Sequence, residues 1–84
     1  MKELVLRQKQ SNSGSIHDIE SSNFERVIKF AKGCQYAVVI ASYYGGKGYT
    51  THKTLGNAID AYYTGKYKGY GKQIINDEGE YQLF

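Results

Sequence analysis

The stretch QYAVVIASYYGGKGYTTHK, residues 35–53, decides the fold class. Its first ten residues are rich in β-branched and aromatic side chains, so they predict a strand over residues 35–44. The glycines within residues 45–48 predict a tight connection, because glycine adopts backbone conformations that other residues avoid. Residues 49–53 again favour a strand. The whole stretch therefore predicts a β-hairpin.

A first helix is predicted upstream of this hairpin. Ser22 and Glu25 have the spacing of a capping box, in which the two side chains satisfy free backbone N–H groups at a helix N-terminus. The apolar residues that follow the helical period are Phe24, Val27, Ile28 and Ala31. Gly33 can adopt the left-handed conformation that ends a helix. These features predict a helix capped by Ser22 and ended by Gly33.

A second helix is predicted directly after the hairpin. Thr54 is a favourable N-cap residue, and Gly65 is placed to end the helix. The apolar positions of the intervening segment, again at helical spacing, are Leu55, Ala58, Ile59 and Tyr62.

The ends of the chain complete the predicted topology. Residues 3–10 predict a first strand, and residues 10–16 predict a mobile loop of turn-forming residues. Residues 72–76 and 80–84 predict a closing hairpin, with Gly79 in its turn. The order β-α-β-β-α-β-β gives an α+β fold, an antiparallel-rich sheet with two helices packed on one face. A ferredoxin-like sheet with an added C-terminal strand is the leading arrangement.

Length and composition bound the class of protein. A chain of 84 residues is expected to form a single domain over residues 1–84, since it is too short for two cores. Cys34 is the one cysteine, so the chain cannot form an internal disulfide, which favours a reducing, cytoplasmic location. No apolar stretch approaches the roughly 18 residues of a membrane span, so a soluble protein is expected.

The density of tyrosine is the strongest functional signal. Seven of the 9 tyrosines lie within residues 43–70, and residues 43–75 carry five lysines against one aspartate. A core this small cannot bury all these rings, so several are expected at the surface. We name the candidate binding residues the tyrosine–lysine surface: Tyr43, Tyr44, Lys47, Tyr49, His52, Lys53, Tyr63, Lys66, Tyr67, Lys68, Tyr70 and Lys72.

Two binding functions fit this surface. Tyrosine is enriched in protein interfaces, which favours a small non-catalytic protein that acts as an inhibitor or accessory factor by protein contact. That profile is typical of phage and mobile-element proteins directed at a host protein or nucleoprotein complex, anti-CRISPR proteins included. The alternative is single-stranded nucleic acid, on which tyrosine rings stack while lysines neutralise phosphates. A purely structural interpretation places Tyr62 and Tyr36 in the core and leaves the lysines as solvated charges.

No catalytic, metal or cofactor site is expected. The glycines of residues 45–48 precede a strand, whereas a phosphate-binding loop runs into a helix. His17 and Glu20 supply at most two metal ligands, and Cys34, expected to be buried, would follow a helix C-terminus, where the dipole opposes thiolate formation. Partners are therefore expected to be proteins or nucleic acid. A homodimer, formed by pairing of the apolar residues 80–84 at a sheet edge, remains open.

Overall fold

The computed structural model describes residues 2–9, 23–41 and 48–84. Its elements, in chain order, are β1 (Lys2–Lys9), β2 (Asn23–Phe30), β3 (Tyr36–Ile40), β4 (Tyr49–His52), α1 (Leu55–Thr64) and β5 (Lys72–Asn76). The protein is α+β with antiparallel sheets, as predicted. The loop predicted at residues 10–16 lies outside the described residues.

The strands form two antiparallel sheets. β1 and β2 make a two-stranded sheet, and the second sheet has the order β4-β3-β5. The predicted hairpin of residues 35–53 is present as β3 and β4, in a register that places Val38 opposite Thr50. β3 also pairs with β5, which places Val38 opposite Ile74. The stretch that decides the fold class therefore supplies the central strand.

The prediction of a helix upstream of this hairpin is wrong. Residues Asn23–Phe30 form strand β2, paired antiparallel with β1 along its whole length. Two periods overlap in this segment, because Arg26, Ile28 and Phe30 also follow the two-residue period of a strand, and all three are buried. Arg26 places a charge at an inward position, where an apolar residue is usual. The apolar alternation of a strand is therefore interrupted in the sequence at this point.

The turn after β2 explains why the prediction that Gly33 ends a helix is wrong. Gly33 has a φ of 83°, the left-handed conformation expected of it, but in a turn between two strands. The turn is closed by the Cys34 amide, which donates to the Ala31 carbonyl at 2.9 Å. Glycine with positive φ ends strands in turns as readily as it ends helices. The predicted cap, Ser22, lies outside the described residues.

The predicted element order and the ferredoxin-like arrangement are therefore also wrong. The described residues run β-β-β-β-α-β, with one helix. The first two strands form a separate hairpin sheet, since β1 and β2 pair with each other and with no strand of the second sheet. The β1–β2 sheet covers the face of the three-stranded sheet opposite α1, so the predicted packing of two helices on one face is wrong for the described residues.

The elements pack in three layers. The first core cluster lies between the two sheets and contains Leu6, Ile28, Phe30, Ala37, Val39, Tyr49 and Ile75. The second cluster lies between the three-stranded sheet and α1 and contains Val38, Ala58 and Ile74. Neighbouring residues of β3 thus point to opposite layers, as the alternation of a strand requires. The three-stranded sheet is buried on both faces.

Helix α1 confirms the second predicted helix and its cap. The Thr54 hydroxyl oxygen accepts from the Asn57 amide at 3.1 Å, so it satisfies one of the free N–H groups of the first turn. At the other end, the Gly65 amide donates to the Ala61 carbonyl at 2.8 Å. No described helix has the length and apolar character needed to cross a membrane.

The closing hairpin is present only in part. β5 and its turn form as expected, and Gly79 has a φ of 84°. Beyond the turn, however, pairing is limited to an isolated bridge between Ile75 and Tyr81. The Asn76 carboxamide oxygen accepts from the Glu78 and Glu80 amides at 3.0 and 2.9 Å, which holds the turn. Residues 80–84 lie along β5 without forming a second full strand.

Candidate aromatic binding surface

The structure divides the tyrosine–lysine surface into several parts. Tyr43, Tyr44 and Lys47 lie outside the described residues. Tyr49 belongs to the core, since only 6% of it is exposed. Its hydroxyl accepts from the Lys29 amide at 3.0 Å, which ties β4 to the hairpin sheet. Tyr49 therefore stabilises the fold and presents no ring to a partner.

His52 and Lys53 follow the end of β4. The His52 ring is half-buried, and its Nε2 atom lies 2.8 Å from the Thr50 hydroxyl. Burial lowers the pKa of His52 below its ordinary value, because desolvation disfavours the charged imidazolium. Lys53 is exposed. His52 is therefore a neutral hydrogen-bonding group near pH 7, and Lys53 carries the charge of this region.

The last turn of α1 and the end of the chain form an aromatic cluster of Tyr62, Tyr63 and Phe84. The Tyr62 and Phe84 ring centroids lie 4.9 Å apart, and those of Tyr62 and Tyr63 lie 5.0 Å apart. Tyr63 and Phe84 meet at 6.0 Å with an interplanar angle of 87°. Edge-to-face contacts of this kind are favourable arrangements for aromatic rings. The cluster is nonetheless open to solvent, with Tyr63 62% and Phe84 53% exposed.

A second aromatic group follows α1. The rings of Tyr67 and Tyr70 pack edge to face, with centroids 5.4 Å apart. The Lys66 ammonium lies 5.5 Å from the centre of the Tyr67 ring, within cation–π range. The backbone between them turns tightly, since the Tyr70 amide donates to the Tyr67 carbonyl at 3.0 Å. We name this group the tyrosine pair.

Lys72 joins the two aromatic groups. Its ammonium donates to the Lys68 and Tyr70 carbonyls, both at 3.1 Å. The same ammonium lies 4.2 Å from the centre of the Tyr62 ring. One cation therefore fixes the turn that carries the tyrosine pair against the aromatic cluster. The two groups together make one aromatic surface.

Phe84 is the residue of this surface that the sequence did not indicate. It is 21 positions beyond Tyr63, and no periodicity relates the two residues. The Gln82 amide donates to the Ile74 carbonyl at 2.8 Å, and this bond directs the end of the chain back along β5 towards α1. The signal available was the apolar pair Leu83-Phe84 at the end of residues 80–84, the segment whose pairing at a sheet edge is the open homodimer hypothesis.

Other chemistry-bearing residues are scattered. Cys34, expected to be buried, is half-buried and lines a cleft of about 350 Å³ together with Lys2, Lys32 and Asp77. The Lys2 ammonium and the Asp77 carboxylate lie 3.7 Å apart across this region. Within the described ranges, no three His, Cys, Asp or Glu side chains come together as metal ligands would.

Comparison of the chain with protein-family models, with curated proteins and with solved structures finds no match. Function is therefore inferred from the residues of the aromatic surface.

Proposed function

We propose that this chain is a small, non-catalytic binding protein that acts by contact with another protein, as an inhibitor or accessory factor. The observation that carries the proposal is the exposed aromatic cluster of Tyr62, Tyr63 and Phe84. Large aromatic rings are costly to leave in water, and those exposed as one contiguous group mark interaction surfaces. Tyrosine and phenylalanine are also the residues enriched at the centre of protein interfaces.

The state of Lys72 favours protein over nucleic acid as the partner. An ammonium that neutralises phosphate must be able to turn its N–H groups outward. Lys72 instead donates two of them to backbone carbonyls and lies over the Tyr62 ring. Its charge therefore supports the aromatic surface from within. What the cluster offers to a partner is apolar ring area with a few hydroxyl groups.

The rigidity of the surface supports the same proposal. Tyr62 and Tyr63 belong to α1, whose N-terminus is capped by Thr54 and whose inner face packs on the three-stranded sheet. Side chains held on a packed helix lose less conformational entropy on binding than side chains on a loop. Central, pre-organised aromatic residues supply most of the binding free energy in many interfaces. In the proposed role the partner is a host protein, alone or within a nucleic-acid-processing complex.

A photocrosslinking experiment tests the proposal. A photoreactive phenylalanine analogue replaces Tyr63 in one variant and Tyr81 in a matched control, since both tyrosines are exposed but Tyr81 stands apart from the described ring contacts. After illumination in a bacterial lysate, a discrete protein adduct is expected at position 63 and none at position 81. Adducts formed equally at both positions, or with nucleic acid alone, would contradict the proposal.

The tyrosine pair favours one second candidate, a single-stranded nucleic-acid platform. Tyr67 and Tyr70 lie beside Lys66 and Lys68, so ring faces and cations occur together. Such a surface stacks bases and neutralises phosphates without reading sequence.

Fluorescence anisotropy tests this candidate with labelled single-stranded RNA, single-stranded DNA and duplex DNA, over about 50–300 mM salt. Tyr67→Ala and Tyr70→Ala should each cost about 1–3 kcal/mol of binding free energy if the rings stack on bases. Lys66→Ala and Lys68→Ala should each reduce the salt slope by about one unit. Weak binding that disappears with salt regardless of the two tyrosines would exclude this function.

A further inference from the structure

The outer face of the β1–β2 sheet has an unusual composition. One face of this sheet is buried, so the residues between the buried ones point to solvent. On the outer face Val5 and Val27 stand directly opposite each other, and they are 58% and 45% exposed. Two β-branched apolar residues paired in the open are favourable in a strand, but they leave apolar area in water.

Charged residues flank this valine pair in a regular pattern. On one side Glu3 stands opposite Lys29, and on the other side Arg7 stands opposite Glu25. All four are exposed, and the Arg7 Nε and Glu25 Oε1 atoms lie 3.3 Å apart. Along each strand the sign of the charge reverses from one side of the valine pair to the other. The face is a square of alternating charges with an apolar centre.

We infer that this face is a self-association surface and that its occupant is the same face of a second copy of the chain. A square of alternating charges is complementary to itself when two copies stack with their strands aligned. With the two-fold axis along the strands, Glu3 faces Lys29 of the second copy and Arg7 faces Glu25. With the axis across the strands, Glu3 faces Arg7 of the second copy. In both arrangements the valine pairs meet at the centre, as inner residues of stacked sheets do.

The size of the face sets the strength of the association. Two eight-residue strands span about 26 Å in length and about 10 Å in width, a face of about 260 Å². This area is well below the roughly 800 Å² per partner of a standard interface. The dimer is therefore expected to be weak, so its detection requires high protein concentration. This inference does not depend on the proposed function, because α1 and the aromatic cluster lie against the opposite face of the three-stranded sheet.

Sedimentation equilibrium on the whole chain, over a concentration series up to the millimolar range, tests the inference. The unmodified chain should show a monomer–dimer equilibrium. Val27→Glu should weaken association at least tenfold, because it places a charge at the apolar centre of both copies. Leu83→Glu, a matched change of an exposed aliphatic residue outside this face, should leave it unaltered. A chain that stays monomeric throughout, or equal effects of the two substitutions, would overturn the inference.

Charge-reversal variants provide the second test, and they leave the valines of the apolar centre unchanged. Arg7→Glu should weaken association, since it brings like charges together in both arrangements. Adding Glu25→Arg restores complementarity with the axis along the strands, and adding Glu3→Lys restores it with the axis across them. One of these two double variants should therefore regain the dimer, with circular dichroism confirming that each variant is folded. Failure of both to regain it would contradict self-association through this face.

Discussion

Arg26 joins the two sheets of the molecule. Only 5% of the residue is exposed, and its Nη1 atom donates to the Ile40 carbonyl at 3.0 Å and the Gly48 carbonyl at 2.9 Å. These carbonyls lie at the end of β3 and just before β4, so one guanidinium nitrogen holds both sides of the connection between these strands. Hydrogen bonds from a charged donor contribute more than neutral ones. The charged side chain of Arg26, which interrupts the apolar alternation of β2 in the sequence, therefore has a structural role.

Gly48 shows how closely this region is packed, and it leads to a first prediction. Its φ is 64°, and a Cβ atom added there would lie 3.0 Å from Arg26 Nη1 and 3.2 Å from Ile40 Cγ1. Gly48→Ala should therefore lower the free energy of unfolding by about 1–2 kcal/mol from the backbone conformation, with crowding adding to this loss. Urea denaturation measures it. Gly69→Ala is the control, since a Cβ atom there meets nothing within 4 Å. Equal losses in both variants would refute the explanation.

His52 leads to a prediction about pH. Burial lowers its pKa in the folded state, whereas the unfolded chain keeps a value of about 6.5. As the pH falls below about 6.5, the unfolded state takes up this proton more readily than the folded state, so stability decreases. His52→Gln, which keeps a hydrogen-bonding side chain beside Thr50, should reduce this decrease. Thermal unfolding measured between about pH 7.5 and 5 compares the two proteins. Identical slopes would show that His52 does not contribute.

At the scale of elements, the sequence was most informative in segments whose apolar residues follow only one period, either that of a strand or that of a helix. The segment of β3 has strand formers without a competing helical pattern, and α1 has a helical stripe with an N-cap, so both were predicted. The segment of β2 carries both periods, and only its pairing with β1 selects the strand. Long-range pairing of this kind is not encoded in a local pattern, which is why the first helix and the overall order were predicted wrongly.

The cap of α1 leads to a prediction at the same scale. Thr54→Ala removes the acceptor for the Asn57 amide and should lower the free energy of unfolding by about 1 kcal/mol. Thr64→Ala is the matched control at the other end of the helix. The Thr64 hydroxyl donates to the Asp60 carbonyl, a bond that does not cap the helix and contributes little to its stability. Urea denaturation of both variants checks the difference. An equal or larger loss for Thr64→Ala would contradict the role of the cap.

At the scale of the whole molecule, the three layers separate the two proposed surfaces. The hairpin sheet covers one face of the three-stranded sheet, and α1 covers the other. Tyrosine density predicted that several rings are exposed, but the sequence did not show which rings face outward. Tyr49, predicted to lie at the surface, is in the core, whereas Phe84 belongs to the aromatic surface because the end of the chain runs back along β5. Both outcomes depend on tertiary packing, which composition does not reveal.

The most direct test of the account is capture of a partner from a nuclease-treated lysate by three proteins: the unmodified chain, Tyr63→Ser and Tyr81→Ser. Both substitutions remove one exposed tyrosine, but only Tyr63 belongs to the aromatic cluster. We expect the same protein partner on the unmodified chain and on Tyr81→Ser, with recovery reduced at least tenfold on Tyr63→Ser. Equal recovery by all three, or no protein recovered from the treated lysate, would contradict a protein-binding role for the aromatic cluster.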